Sequence, residues 1–435
     1  MRLADLRGRS VAVWGTGREG RAAVLAIAPH QPASMVAVDD SGNFLSLAWD
    51  SPLAELAPRR TDFAAFDGVD VVVRSPGIPQ THPWLVELRR RGVAVTGGTA
   101  LWLADHADRT VGVTGSKGKS TTSSLISHLL TAAGRPNVYG GNIGVPVLDL
   151  PESALYVLEL SSYQCSDLTE SPRVAVVTAL FPEHLDAHGG EREYYRDKLN
   201  LVRHDPVTVV VNGLDERLSR ELGEVAAIRA GLPDSYHVRD GAVWRGGERL
   251  FDRAALPLVG RHNEVNLCVA LAVLEALGVA PFDVPAALAS FAALPHRLTE
   301  ILDPSGLTFV DDTLATSPYA AMHAIDAYAG RPLTVIVGGA DRGVDYTPLR
   351  DHVADLALTV IGIPDSGPRI IEALKGLPAV RTELADDLES AVRLARELTP
   401  AGGAVLLSPA APSYGRYRNF EHRSEAFLEA IRATS

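Results

Sequence analysis

Lysine is the scarcest of the common charged residues here. Of 41 basic residues only Lys117, Lys119, Lys198 and Lys375 are lysine, in a chain of 435 residues. Cysteine is scarcer still. Cys165 and Cys268 are the only two, which excludes a disulfide framework and a cysteine-built metal site. No apolar run has membrane-spanning length, and Met1-Arg2-Leu3-Ala4-Asp5-Leu6 lacks the apolar centre of a secretory signal. No stable membrane association is therefore expected, and a reducing, cytoplasmic setting is. Positive charge is short overall: the net charge of −12 argues against nucleic acid as a partner while allowing a local basic pocket. What is present, 46% hydrophobic residues with 22% charged, is a globular composition, and the length calls for two or three domains.

Where arginine is written so freely, a lysine points to chemistry a guanidinium cannot do, because only the amine is compact and able to deprotonate. Two of the four lysines lie in Thr114-Gly115-Ser116-Lys117-Gly118-Lys119-Ser120-Thr121. A β-branched run, Arg109 to Val113, precedes it, and an apolar stretch at helical spacing, Thr122 to Leu130, follows and closes at Gly134. Strand, glycine loop, lysine, hydroxyl pair and helix make a phosphate cradle. Lys119 is placed to reach the β and γ phosphates, and Ser120 or Thr121 to offer a hydroxyl to Mg²⁺. The spacing departs from G-x-x-x-x-G-K-[ST], since Val113 stands where the first glycine belongs. A third lysine, Lys198, lies outside the loop on an expected helix with Tyr194 and Tyr195.

In chain order, residues 1–104 read as a first α/β domain. Strand Ser10–Trp14 runs into Gly15-Thr16-Gly17-Arg18-Glu19-Gly20, and a second strand ends at Asp39-Asp40. That is a dinucleotide-type fingerprint, placing a helix N-terminus at a diphosphate. Ser75-Pro76-Gly77-Ile78 follows another strand, at the edge where open parallel sheets collect ligands. Residues 105–293 form the domain of the phosphate loop. There Asn142 sits in Gly140–Gly144, Glu159 ends a buried strand before Ser161-Ser162, and a further strand leads to Glu183, His184 and Asp186. Glu159 is where a Mg²⁺ beside the phosphates would need an oxygen. Gly260 to Asn266 opens an alanine-rich helix with Asn263 and Asn266 one turn apart. Residues 294–435 form a third unit, with strands at 308–310, 334–337, 359–361 and 405–407 alternating with helices, so a parallel sheet is expected. Polar clusters follow its strands at Asp311-Asp312-Thr313, Gly338–Gly343 and Ser408–Arg423.

Taken together, these segments resemble the Mur ligase family, the ATP-dependent amide-forming enzymes of peptidoglycan precursor synthesis. The resemblance rests on the phosphate loop, Gly141-Asn142-Ile143-Gly144, Glu159-Leu160-Ser161-Ser162, His184-Leu185-Asp186, Lys198, Gly260…Asn263…Asn266, Pro295-His296-Arg297, Asp312 and Leu407-Ser408-Pro409-Ala410. It spans the whole chain. It implies three domains: a Rossmann-like UDP-binding domain, a central phosphate-loop ATPase with a parallel-rich sheet, and a Rossmann-like C-terminal domain. The substrates implied are ATP, UDP-N-acetylmuramoyl-L-alanine and glutamate, with an acyl phosphate between them; a monomer is expected. ATP would meet Gly115, Ser116, Lys117, Gly118, Lys119, Ser120, Thr121, Asn263, Asn266, Arg297 and Asp312. The UDP substrate would meet Gly15, Thr16, Gly17, Asp39, Ser75, Pro76, Gly77, Asn142 and Ser161. Two Mg²⁺ ions would lie among Ser120, Thr121, Glu159, His184 and a carbamylated Lys198, with Lys119, Glu159, His184 and Lys198 as the catalytic set. The amino acid would meet Thr316, Arg342, Ser413 and Phe420.

Members that add D-glutamate usually carry lysine where this chain has Leu314 and Arg342, and a cysteine in the loop that here reads Ala411-Pro412-Ser413-Tyr414-Gly415. These departures resemble a side branch that adds L-glutamate, and L-glutamate is the expectation. Three other readings stay open on the residues: the D-glutamate ligase, a folylpolyglutamate synthase-like ligase, and an NAD-dependent oxidoreductase built on Gly15-x-Gly17-x-x-Gly20.

Overall fold

Runs of β-branched residues too uniform to alternate, such as Val71–Arg74, Thr110–Thr114 and Val174–Val177, are buried along their whole length. Such strands need helices on both faces, which is the condition for parallel sheets. The computed structural model describes residues 1–40, 51–142, 145–292 and 295–434. Ile143 and Gly144 of the asparagine loop, and the domain boundary expected at 293/294, lie outside the described residues.

The first sheet holds β1 (Ser10–Trp14), β2 (Ser34–Val38), β3 (Arg59–Arg60), β4 (Val71–Arg74) and β5 (Ala94–Gly97) in the order β3-β2-β1-β4-β5, all parallel. Strand order reverses beside β1, so the loops after β1 and β4 open onto one crevice. The second sheet holds β6 (Thr110–Thr114), β7 (Val138–Gly141), β8 (Tyr156–Glu159), β9 (Val174–Val177), β10 (Thr208–Asn212) and β11 (Ile228–Ala230), parallel in the order β11-β10-β9-β6-β8-β7. Its central strand β6 feeds the phosphate loop, and its neighbours β8 and β9 end at Glu159 and just before Thr178.

Next comes an antiparallel meander, β12 (Tyr236–Arg239), β13 (Ala242–Arg245) and β14 (Glu248–Asp252), which no sequence expectation anticipated. The last sheet holds β15 (Thr299–Leu302), β16 (Thr308–Asp311), β17 (Leu333–Val337), β18 (Leu358–Gly362), β19 (Val380–Leu384) and β20 (Ala404–Leu407) in the order β15-β16-β20-β17-β18-β19. It is parallel except at one edge, where β15 pairs antiparallel with β16, a correction to the fully parallel sheet expected. A second alanine-rich helix, Val284–Ala289, follows the helix Arg261–Ala276. The chain divides into two compact units, one of Met1–Leu256 with Glu264–Phe291, the other of Pro257–Asn263 with Ala292–Ser435. The α/β class expected from the sequence is the class observed.

Candidate active site

The helix Lys119–Ala132 starts directly after Gly118, whose φ of 86° is the left-handed conformation glycine tolerates. A Cβ on Gly118 would stand 2.8 Å from Asn266 Oδ1, so the asparagine amide lies against the loop. Gly115 is equally constrained, with φ 147° and Thr178 Oγ1 2.1 Å from where its Cβ would be. Lys119 folds back over the loop, donating to Gly115 O at 2.9 Å and Ser116 O at 3.2 Å. Ser116 differs from expectation. Its N–H donates to Ala179 O at 2.7 Å and its hydroxyl to Phe181 O at 2.7 Å, with Tyr194 Oη 2.9 Å away. Ser116 is thus an inward strut of the loop, and its donors are already spent.

Around this loop the two remaining central lysines meet different fates. Lys117 pairs with Glu183 at 3.1 Å. Burial raises the proton affinity of Glu183, but Lys117, His184 and Lys119 outweigh it and hold the carboxyl below its ordinary range. Lys198 is buried under the loop, donating to Gly115 O at 2.9 Å, with its Nζ 5.0 Å from the Tyr194 ring centroid. Burial, helped by repulsion from Lys119, pulls its amine down to about 7 against the attraction of Glu183 and Glu159. A buried lysine so placed is neutral in a large share of molecules near neutral pH, as a nucleophilic amine must be. His184, held at φ 54°, is pulled down to about 4, chiefly by desolvation and further by Lys117, Lys198 and Lys119, against the attraction of Glu183. It keeps a free lone pair at neutral pH.

Glu159 decides whether a cation fits. One oxygen, Oε1, accepts from Asn142 Nδ2 at 2.8 Å; the other, Oε2, is buried without a hydrogen-bond partner among the described residues. A buried carboxylate oxygen left open beside a phosphate cradle suits Mg²⁺, a hard ion that takes oxygen ligands. Among the described residues no three His, Cys, Asp or Glu side chains gather closely enough to cage a metal by themselves. That suits Mg²⁺ too, which keeps waters and phosphate oxygens in its shell and needs only one or two protein carboxylates.

Asn142 reaches two places at once, since it also lines a cavity of about 640 Å³ in the first unit. Gly15, Thr16, Gly17, Asp39, Ser75, Pro76 and Gly77 line it as well, so the UDP-substrate set comes together there with the exception of Ser161. Ser161 instead caps the helix Ser162–Cys165 and orders Gln164, whose side chain does line the cavity. Gly20 closes the floor: its Cβ would fall 1.8 Å from Gly15 O. Asp39 is held by the Thr16 hydroxyl and by Arg59 at 3.2 Å. Asp40, the second acid at the end of β2, lines the cavity too, with His82, which was not anticipated. They pair at 3.0 Å, and the His82 tautomer is set because its Nδ1 accepts from Trp84 N at 3.1 Å. Glu19 lies inside the glycine fingerprint, but no role was expected of it. Burial, with repulsion from Asp149, raises its carboxyl to about 7 against the pull of Arg18.

In the second unit, β16, β20 and β17 lie side by side, so the three polar loops at their C-terminal ends are neighbours. Asp312 accepts from Ser408 Oγ at 2.9 Å. Arg423, fully buried, donates to Thr313 O at 2.7 Å, to Thr313 Oγ1 at 2.8 Å and to Ala411 O at 3.1 Å, lacing these loops together. Ser413 is buried in the β20 loop, Thr316 half-buried after β16, and Arg342 exposed after β17. Phe420 begins the last helix, its ring 5.8 Å from that of His296. Asn263 and Arg297 belong to this unit, whereas Asn266 belongs to the first.

The model of the Mur ligase middle domain matches residues 113–274, the segment holding the phosphate loop, Glu159, His184 and Lys198. Over the full chain, the sequence is 73% identical to the UDP-N-acetylmuramoyl-L-alanine--L-glutamate ligase of a Micromonospora strain, covering 99% of that protein. The chain belongs to the Mur ligase family. Proteins of the same name from Salinispora tropica and Xanthomonas oryzae pv. oryzae are 72% and 41% identical, over 100% and 99% of this chain and 100% and 96% of theirs. Among solved structures, the fold is similar to the MurF ligase of Thermotoga maritima in complex with ADP, at TM-score 0.60 and 18% identity, covering 100% of this chain and 97% of that one. It is similar also to UDP-N-acetylmuramate-alanine ligase of the same organism, at TM-score 0.58 and 20% identity, covering 98% and 100%. Mur ligases form amide bonds at the expense of ATP and use Mg²⁺. This Mur ligase has no helix among the described residues long and apolar enough to cross a membrane.

Proposed function

We propose that this Mur ligase joins L-glutamate to UDP-N-acetylmuramoyl-L-alanine, with ATP as the phosphoryl donor. The observation that carries the reading is the match at 73% identity, end to end, to a ligase named for that reaction. The geometry supports it. Asn142 forms part of the cavity wall and also holds Glu159, so the two-part substrate and the phosphoryl donor share one asparagine.

The alanyl carboxylate oxygen attacks the γ-phosphorus, ADP departs, and an acyl phosphate forms. The glutamate amine then adds to the acyl carbon, loses a proton, and the tetrahedral adduct expels orthophosphate. Activation is required because oxide is too poor a leaving group for direct amide formation. Backbone N–H groups of the loop and Lys119 hold the phosphates; Asn263, Asn266, Arg297 and Asp312 serve the rest of ATP. Glu159 Oε2, the Ser120 or Thr121 hydroxyl, His184 and a carbamate on Lys198 would hold two Mg²⁺ ions, which would supply charge to neutralise phosphate oxygens. The carbamate forms when the neutral Lys198 amine adds to CO₂ and releases a proton, and the buried, depressed amine is suited to that addition. Thr316, Arg342, Ser413 and Phe420 receive the amino acid. Leu314 removes a cation from that region, and Arg342 offers a bidentate partner for a side-chain carboxylate. ATP and UDP-linked sugars are cytoplasmic metabolites, which puts the reaction there.

The test is ADP release measured with L- and D-glutamate in parallel. Turnover should need UDP-N-acetylmuramoyl-L-alanine and L-glutamate together. Turnover with D-glutamate alone would overturn the stereochemistry; turnover with neither isomer would overturn the function.

A further inference from the structure

A second cleft, of about 430 Å³, lies in the first unit between the segment Gln80–Arg89 of the first sheet's domain and the helix Glu191–Leu199 of the central one. Three guanidinium groups, from Arg89, Arg196 and Arg203, line it against a single carboxylate, Asp197. That carboxylate is already used on both oxygens. Oδ1 accepts from Arg196 at 2.9 and 3.1 Å, and Oδ2 contacts His188 Nδ1 at 2.7 Å, while His188 Nε2 lies 2.9 Å from Ser162 Oγ.

The neutral polar groups of the cleft are committed as well. Asn200 donates to Cys165 O and Leu168 O, and Gln80 donates to Ser166 Oγ and Asp167 Oδ1. Arg89 has only the neutral Gln80 carbonyl as acceptor, and the Arg203 side chain makes no hydrogen bond or ion pair among the described residues. The proton affinity of Arg89 is lowered, chiefly by desolvation and further by Arg74 and Arg196, against the pull of Asp167 and Asp197. Positive charge is thus concentrated in a concave site, in a chain whose net charge is −12.

We propose that this cleft is a second anion site, built for a phosphate dianion and separate from the phosphate loop. Two or three guanidinium groups around one concavity match phosphate oxygens in paired hydrogen bonds, and a dianion balances the surplus that Asp197 leaves. The source is either free orthophosphate or the phosphate of a small phosphorylated metabolite, for which the volume beyond one phosphate leaves room.

Calorimetric titration of the full chain at low ionic strength tests it, using inorganic phosphate in one arm and glycerol 3-phosphate in the other. Four proteins are compared: unaltered, Lys119→Ala to remove phosphate binding at the loop, and Lys119→Ala carrying either Arg203→Glu, at an exposed side chain, or Arg89→Gln. Binding should survive Lys119→Ala and weaken at least tenfold when Arg203→Glu is added to it. A Lys119→Ala protein that binds neither anion overturns the proposal, as does a Lys119→Ala, Arg203→Glu protein that binds both as well as Lys119→Ala does. A melting curve for Arg203→Glu establishes that it is folded, with Arg89→Gln as the second variant expected to weaken binding in the same sense. Tighter binding of glycerol 3-phosphate assigns the metabolite as source; tighter binding of phosphate assigns the free ion.

Discussion

Glu19 stands in the wall of the cavity proposed for a diphosphate, where an ionised carboxylate would repel the ligand. With its carboxyl raised to about 7 by burial, it is protonated below that pH and charged above it. The KM for the UDP substrate should therefore rise above pH 7, by up to about tenfold per pH unit if only the neutral form binds. Glu19→Gln should abolish that rise, which a KM profile over pH 6 to 9 reads directly. The same shift acts on stability. The native state holds this proton between the ordinary carboxylate range and about 7, so the stability it adds is lost as pH rises through that window. Lys198 is the other residue whose chemistry depends on its burial. Lys198→Ala should lose at least 100-fold in kcat and regain part of it with added short carboxylic acids, which can take the place of a carbamate. An alanine variant of full activity would remove the carbamate from the mechanism.

At the scale of elements, the loop between β1 and the helix Arg18–Ile27 is set by how closely strand and helix approach. A methyl group at Gly20 would overlap Gly15 O, and neither backbone can retreat without parting helix from sheet. Gly20→Ala should cost about 3 kcal/mol and weaken UDP-substrate binding; a variant with unchanged melting temperature would show the approach to be slack. This junction was legible in the sequence because glycine spacing encodes close packing. So were the phosphate loop and the buried parallel strands, because continuous β-branched runs have no solvent face. The meander β12–β14 was not legible: its residues mix exposed and buried positions, and β14 is exposed at Glu248, Arg249 and Leu250. Nor was β15, with exposed Thr299 and Glu300 at an edge. In the site, Lys119 and Lys198 were readable as a residue type scarce in this chain, and Glu159 by its place at the end of a buried strand. The pairing of His82 with Asp40, the bonds of Arg423 to Thr313 and Ala411, and the burial that shifts Glu19 were not, because only the folded chain brings those groups together.

For the whole molecule, two compact units with separate sheets imply two thermal transitions that ligands and mutations should move separately. Within the first unit, Arg74 at the end of β4 is buried and meets Asp167 at 2.8 Å, Ile78 O at 2.6 Å and Ser166 Oγ at 2.8 Å. It ties the domain of the first sheet to the helix that follows β8. Removing one partner of a buried pair leaves the other charge unsatisfied, at a cost of about 3–5 kcal/mol. Arg74→Met should therefore lower the transition of Met1–Leu256 by several degrees and leave that of Ala292–Ser435 in place. The UDP substrate at 100 times its Kd should raise the first transition by an amount equivalent to about 2.7 kcal/mol. It should not move the second, whose residues contribute nothing to the cavity. Differential scanning calorimetry of the unaltered chain and of Arg74→Met, each with and without the substrate, reads all four cases. A single transition that moves as one under both perturbations would mean that the two units unfold as one cooperative body, and that the Arg74 pair stabilises the whole chain.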